Sequence, residues 1–515
     1  MTHPSHFAAS NPGKPAYIMA ATSEAVTYGE LEASSNRFAH LFRALGVGPG
    51  GHVALLLENR PGFFEICWGA QRAGLLYTPI SPRLQPQEIA RIVGDSGAGV
   101  LIVSGTLAEQ AAALVGLLPA SVRRLSIGGA LPGYESCEAR LAGLPATPVA
   151  DQQAGAAMIY SSGTTGRPKG IKRSIAGGAY DAPEPGFVMF KGLYKFGEDT
   201  VYLSPAPLYH AAPLIYSMGT MRCGGTVVVM EQFDAREALA LMERHRVTHS
   251  QWVPTMFVRM LKLDPAERRA RDLSSHRVAI HASAPCPVAV KRAMMEWWGP
   301  ILHEFYAGTE GNGICSIGPQ EWLDHPGSVG RAMIGELRIV RDDGRLADPG
   351  ETGTVYFAKG VPFVYHNDPE RTREAHNDAG WSTLGDVGHV DKDGYLYLTD
   401  RKSDLIIVGG VNVYPQEAEN VLIGHPAVID VAVVGIPHAE YGEEVKAVVQ
   451  PADMALAGPA LEQELIACCR AAIADYKCPR SIDFSPQLPR DPAGKLYRRV
   501  LRERYGGGAG TRSAG

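Results

Sequence analysis

The chain has 515 residues, with 49 Lys+Arg against 54 Asp+Glu for a formal net charge of -5, 45% hydrophobic and 20% charged residues, 58 glycines and 37 prolines. These proportions are globular and leave ample chain for large cores, which excludes disorder, collagen-like repeats and a small disulfide scaffold. With no global positive field to recruit nucleic acid or anionic membrane, a small-molecule partner is expected.

Met1 to Ser10 offers neither a basic n-region nor the apolar stretch of an export signal, and no run approaches the roughly 20 apolar residues that span a bilayer, so a cytoplasmic setting is expected. In chain order, Leu31, Phe38, Leu41, Phe42 and Leu45 recur at helical spacing over 30–45, and a glycine-rich turn leads into the apolar run Val53 to Leu57. The alternation continues with a predicted helix over 61–72, strand over 75–80, helix over 86–94 and strand over 99–103, a βα pattern. Strands at Thr226 to Met230, Val278 to His281 and Ile301 to Phe305, with helices over 235–245 and 287–298, extend it. After Asp400 the pattern restarts on a smaller scale. Strands are predicted at Leu405 to Val408, Asp430 to Val434 and Val445 to Gln450, and helices near 415–423 and 460–474. The polar stretch Thr399 to Asp404 reads as the linker. The end, from Gly506, has no core-forming residue and is expected to be disordered.

The eight cysteines include no C-x-x-C pair, so reduced thiols are expected. Gly46, Gly48 and Gly51 fit G-x-G-x-x-G, but they follow a helix and precede a strand. A dinucleotide site needs the reverse order, because the pyrophosphate rests on a helix N-terminus after the strand. The segment Tyr160-Ser-Ser-Gly-Thr-Thr-Gly-Arg-Pro-Lys-Gly170 is different in kind. It packs hydroxylated and conformationally permissive residues together after an apolar stretch, so its amides and hydroxyls can turn onto phosphate oxygens while Lys169 adds a point charge.

This segment resembles the phosphate loop of the adenylate-forming superfamily, which includes acyl-CoA synthetases, firefly luciferases and nonribosomal-peptide adenylation domains. Pro207-Leu-Tyr-His210, Tyr306-Ala-Gly-Thr-Glu310, Gly385-Asp386-Val-Gly, Asp400-Arg401, Gly409-Gly-Val-Asn-Val-Tyr-Pro415 and Pro489-Arg-Asp-Pro-Ala-Gly-Lys495 resemble its other signatures in the same order. The likeness is closest to AMP-forming acyl-CoA synthetases. It implies an α/β fold: a large multi-sheet domain over 1–400 that binds ATP and acid, a hinge at 401–403, a small α+β lid over 404–505 and a disordered tail over 506–515.

The resemblance also implies roles for individual residues. Ser161, Ser162, Gly163, Thr164, Thr165, Gly166 and Lys169 would cradle phosphate, with Thr165 and Glu310 holding Mg²⁺. Tyr306, Ala307, Gly308 and Thr309 would line the nucleotide, with Tyr306 as a face for adenine and Thr309 as a hydroxyl donor to phosphate. Ser283, Ala284 and Pro285 would stand behind adenine and beside the acyl pocket. Asp386 and Arg401 would read the ribose hydroxyls, a task for a bidentate acceptor and a forked donor. His210 would wall the acyl pocket, and the absence of a fixed anion there argues for an acid without an α-amine. Lys495 would bridge the attacking carboxylate and the α-phosphate. Gly409 and Gly410 would line the pantetheine tunnel. Ser403 stands where relatives usually carry Asp or Lys, which puts a hinge salt bridge in doubt.

The function implied is an AMP-forming carboxylic acid:CoA ligase that uses ATP, Mg²⁺ and coenzyme A on a hydrophobic (medium-chain, aryl-alkanoic or polycyclic) acid. A homodimer is compatible with it. The alternatives are an adenylating enzyme with another acceptor (an amide synthetase, a carrier-protein ligase or a luciferase-like oxygenase) and a non-catalytic nucleotide-binding paralogue. Trp252, Met256, Trp297 and Trp298 could be pocket walls, but aromatics at helical spacing are more often core, and they are left out of the site.

Overall fold

The computed structural model describes residues 3–161, 169–172, 178–182, 185–491 and 494–506. The chain divides into two compact units. The first comprises Met1–Gln251, Arg271–Ala279 and Phe363–Thr372; the second comprises Trp252–Ala270, Ile280–Pro362 and Arg373–Gly515.

In the first unit the predicted helix forms as Tyr28–Ala44. Thr27 starts it with a capping box, its hydroxyl accepting the Glu30 N–H while the Glu30 carboxylate accepts the Thr27 N–H. Leu31, Phe38, Leu41 and Phe42 form its buried stripe. Six parallel strands follow in the sheet order Glu135–Ser136, Arg123–Ile127, Val100–Ser104, His52–Leu56, Leu76–Ile80 and Ala156–Ala157. The three inner strands from Val100 to Ile80 are buried at every residue. That is the continuous apolar run demanded when helices such as Phe63–Arg72 and Pro86–Ser96 cover a sheet. Gly46 and Gly51 lie between a helix and a strand, as the sequence order required. A second parallel group joins Pro15–Met19, Thr226–Val229 and Val201–Ser204.

The second unit is largely antiparallel. Leu302–Ala307 pairs with Ile314–Ile317, which pairs with Arg331–Ile334. A four-stranded sheet runs Glu336–Val340, Gly353–Ala358, Ser382–Val390 and Leu396–Arg401. None of these four strands was legible in the sequence. Further on, Val428–His438 and Gly442–Pro451 form a hairpin longer than the two predicted strands. The helices Pro415–Leu422 and Pro459–Ala472 lie near their predicted places. Val431, Val433, Val445, Ala447, Leu422 and Leu465 are fully or nearly fully buried in one apolar cluster.

Of the segment read as a linker, Thr399 to Arg401 end a strand and Lys402–Asp404 form a 3₁₀ turn. Beyond Gly506 the expected tail lies outside the described residues. Among the described residues, no helix is long and apolar enough to cross a membrane.

Candidate active site

The strand Leu302–Ala307 carries Tyr306 and ends in a turn closed by Gly311 N–H donating to Gly308 C=O at 3.1 Å. This turn holds Thr309 and Glu310. A Cβ on Gly308 would fall 2.5 Å from Leu384 Cδ1 and 2.7 Å from Glu310 Oε2, so a side chain there would have to push the Leu384 methyl and the Glu310 carboxylate aside. Asp386 and Arg401 are direct cross-strand partners in the four-stranded sheet. Buried Asp386 accepts from Arg401 Nε at 3.1 Å through Oδ1 and from the Tyr306 hydroxyl at 2.5 Å through Oδ2. The two residues expected to read ribose are therefore brought together, and the same carboxylate fixes the Tyr306 ring, which stacks 6.2 Å from Phe357. Burial, then Asp386, pushes the Tyr306 phenol well above its ordinary range, so it remains a donor.

Lys495 is held by its backbone. Its N–H donates to Asp491 Oδ1 at 2.8 Å, and its C=O accepts the Asp491 N–H at 2.9 Å. Arg490 braces the loop through a bidentate pair with Asp430, at 2.6 and 2.8 Å, and donates to Gly494 C=O at 2.8 Å. Gly494 has φ +82°, and a Cβ there would meet Thr255 Oγ1 at 2.6 Å. Burial and the Arg401 guanidinium lower the Lys495 amine to about 8, against the pull of Asp491, Glu310 and Asp404. Lys495, Arg401 and Glu310 thus share one electrostatic environment.

The loop near Ser403 is ionic after all, one residue further on. Asp404 accepts from Arg498 at 3.3 Å and Arg502 at 3.2 Å, and Arg502 also donates to the Ser403 carbonyl at 2.9 Å. Arg498 pairs in addition with Glu419 at 2.5 Å. Arg490 and Arg498 are thus structural cations. Asp400 accepts from the Arg401 and Gln416 N–H groups, and burial raises its carboxyl to about 6. Gly409 and Gly410 form the two-residue turn of the hairpin joining Ile406–Val408 to Val411–Val413, with φ of +56° and +84°. Their conformation alone accounts for glycine, since a Cβ on Gly410 would meet nothing within 4 Å.

Ser283, at φ +76°, is one of few non-glycine residues in the left-handed region, and it lies between Ala282 and the Ala284-Pro285 pair. Trp252 and Met256 are buried, and Trp252 packs on Trp298 at 5.6 Å, in keeping with core.

In the first unit, Ser161 and Lys169 face each other in register across two antiparallel strands, and Lys169 Nζ stands 4.7 Å from the centroid of the Tyr365 ring. Ser162, Gly163, Thr164, Thr165 and Gly166 lie outside the described residues. His210 is the N-cap of the helix Ala211–Arg222, half-buried with its ring 4.7 Å from that of Tyr209. Asp491, Asp404 and Glu419 were not singled out from the sequence. Only Asp491 had a local signal, as part of the segment that ends in Lys495.

Tyr306, Asp386 and Arg401 are thus joined by hydrogen bonds, and Arg401 and Glu310 both act on the charge of Lys495. The AMP-binding enzyme family model matches residues 5–361, and the AMP-binding enzyme C-terminal domain model matches residues 417–495. The chain is 33% identical over 501 residues to the long-chain-fatty-acid–CoA ligase FadD13 of Mycobacterium tuberculosis, covering 96% of each chain. It is 35% identical over 488 residues to a feruloyl-CoA synthase of Amycolatopsis sp, covering 94% of each. The solved structure of the amide bond synthetase McbA from Marinactinospora thermotolerans aligns at TM-score 0.80 and 28% identity, over 98% of this chain and 99% of that one. The chain belongs to the AMP-binding enzyme family and is an enzyme of its acid–thiol ligase (acyl-CoA synthetase) branch.

Proposed function

We propose that this enzyme joins a hydrophobic carboxylic acid to coenzyme A in two steps through an acyl adenylate. The observation that carries the reading is the shared environment of Lys495, Arg401 and Glu310 at the Tyr306–Asp386–Arg401 contact. In the first step the acid's carboxylate attacks the α-phosphorus of ATP and pyrophosphate leaves. Both reactants are anions, and the Lys495 ammonium stabilises their approach and the crowded transition state. Tyr306 presents its ring to adenine while Asp386 and Arg401 read the ribose. The carboxylate of Glu310 suits Mg²⁺, which takes one or two protein carboxylates and completes its shell with phosphate oxygens and water. Among the described residues no cluster of three His, Cys, Asp or Glu side chains forms a dedicated metal cage. When bound, Mg²⁺ would neutralise phosphate charge. In the second step the thiol attacks the acyl carbonyl and AMP leaves.

That step needs Lys495 out of the way. We assign 401–403 as the pivot, with 404–505 as the moving lid. The two CoA-ligase relatives support the acceptor, and the family of fatty and aryl acids they use supports a hydrophobic substrate. The likeness to an amide bond synthetase keeps an amine acceptor as the rival reading. A panel of fatty, aryl-alkanoic and polycyclic acids assayed for ATP-dependent pyrophosphate release, with CoA or with amines, separates the two. CoA-dependent multiple turnover with thioester formation is expected; turnover with amines and none with CoA would overturn the acceptor.

A further inference from the structure

Away from these residues, the second unit buries a compact charged cluster. Lys291, on the helix Val288–Trp298, is fully buried, with Nζ 2.6 Å from Glu304 Oε2 and 4.7 Å from the centre of the Trp322 ring. Glu304 is 4% exposed. The buried His281 brings Nε2 to 3.4 Å from the same Glu304 oxygen without making a hydrogen bond. Burial, reinforced by Lys291 and His303, holds this imidazole well below its ordinary pKa, so it is neutral.

Such a cluster is an inefficient way to stabilise a fold. Apolar side chains of similar volume in place of a buried ion pair are often neutral or stabilising. What the cluster does supply is a fixed geometry. His281 immediately precedes the segment Ala282-Ser283-Ala284-Pro285, and Lys291 lies on the helix that follows it. Glu304 stands two residues before Tyr306 on one strand, and side chains two apart share a face. One carboxylate therefore meets side chains on both flanks of the segment and sits on the strand that carries the proposed adenine platform. Ser283 in the middle holds φ +76°, and such strain persists only where the surroundings over-determine the backbone.

We propose that Lys291 and Glu304 are positioning residues that set the register of Ser283-Ala284-Pro285 against Tyr306, and so the fit of the nucleotide base. This rests on the assignment of Tyr306 and that segment to ATP. The test is Lys291→Met/Glu304→Met, which replaces the pair with apolar volume, measured for melting temperature, steady-state KM for ATP and for the acid, and binding of ATP alone by calorimetry.

A folded double variant with a melting temperature near wild type is expected, with KM for ATP and the ATP dissociation constant raised ~10-fold or more, a loss of about 1.4 kcal/mol of binding per tenfold. KM for the acid should rise less than KM for ATP, since the segment backs the base and only borders the acyl pocket. An unchanged ATP KM and dissociation constant, or an acid KM that rises more than the ATP KM, would overturn the proposal. If the double variant does not fold, Lys291→Arg, which keeps the charge but changes its geometry, is measured the same way and must show the same ATP-selective shift. Tyr306→Ala separates the two levels. If it leaves ATP binding intact, the site assignment has failed; if it weakens ATP binding while the Lys291 and Glu304 variants do not, the positioning role has failed.

Discussion

Lys291 and Lys495 lie in the same unit and carry the same side chain, yet the regions around them treat the charge in opposite ways. Around Lys291 the protein supplies its own anion at 2.6 Å, closes an aromatic ring over the ammonium and excludes water. Around Lys495, burial and a second cation, Arg401, bring the amine down to about 8, and the carboxylates of Asp491, Glu310 and Asp404 only partly offset them. A charge balanced from within can only hold parts of the chain together. A charge crowded by another cation gains most when an anion arrives from outside, because that anion offsets both burial and repulsion. The difference supports the proposal that Lys495 meets a phosphate or carboxylate.

The sharpest way to break this contrast is Lys495→Ala. Removing the cation used in the first transition state should slow adenylate formation by ~10²- to 10³-fold or more. Conversion of supplied acyl-AMP and CoA to thioester should stay within a few fold; equal loss of both half-reactions in a folded protein would end the assignment.

Ser403→Pro comes next. Proline fixes φ near about −65° and biases Lys402 toward extended backbone. One half-reaction should collapse while the other persists in a single turnover. A folded variant with both near wild-type rate would show that the chain does not pivot at Ser403.

The pH profile sharpens the contrast further. The form that acts is protonated Lys495, so adenylation should decline as pH rises through about 8 and hold below it. In Lys495→Arg, whose guanidinium keeps its proton, any remaining activity should lose that decline. A wild-type kcat/KM flat to pH 9.5 would contradict the role, because that ratio reports the free enzyme. Glu310→Gln should raise the Mg²⁺ concentration needed for half-maximal adenylation by about tenfold, since the shape remains and the anion is gone; an unchanged metal titration would show that Glu310 does not hold the metal.

The smallest effect is expected at Ser283. A β-branched Val cannot accept φ +76° without strain, so Ser283→Val should cost about 1–3 kcal/mol by denaturant unfolding. Ser283→Gly should lie within about 1 kcal/mol of wild type, relief of strain offsetting the greater entropy of the unfolded chain.

Much of this was legible in the residues alone. The helix Tyr28–Ala44 and the strands His52–Leu56, Leu76–Ile80 and Val100–Ser104 were readable because their signals are local: a capping residue, an apolar stripe, a short apolar run. The order of the motifs gave the family. What the residues hid was the sheet from Glu336 to Arg401. Its strands mix buried and half-exposed positions without clean alternation, as in Glu336–Val340, where only Ile339 is buried.

The sequence by itself determined which chemistry was available: a lysine in a glycine-containing loop, a carboxylate after Tyr306, and an Asp and an Arg in separate motifs. Only the tertiary structure decided which of these charges meet. Asp386 and Arg401, 15 residues apart, become partners through a strand register. Asp404 and Arg498, 94 apart, pair near the proposed pivot. Lys291 and Lys495 look alike in a sequence because a lysine's role is set by the field around it. That field is the sum of charges and burial contributed by distant segments, which no local pattern encodes.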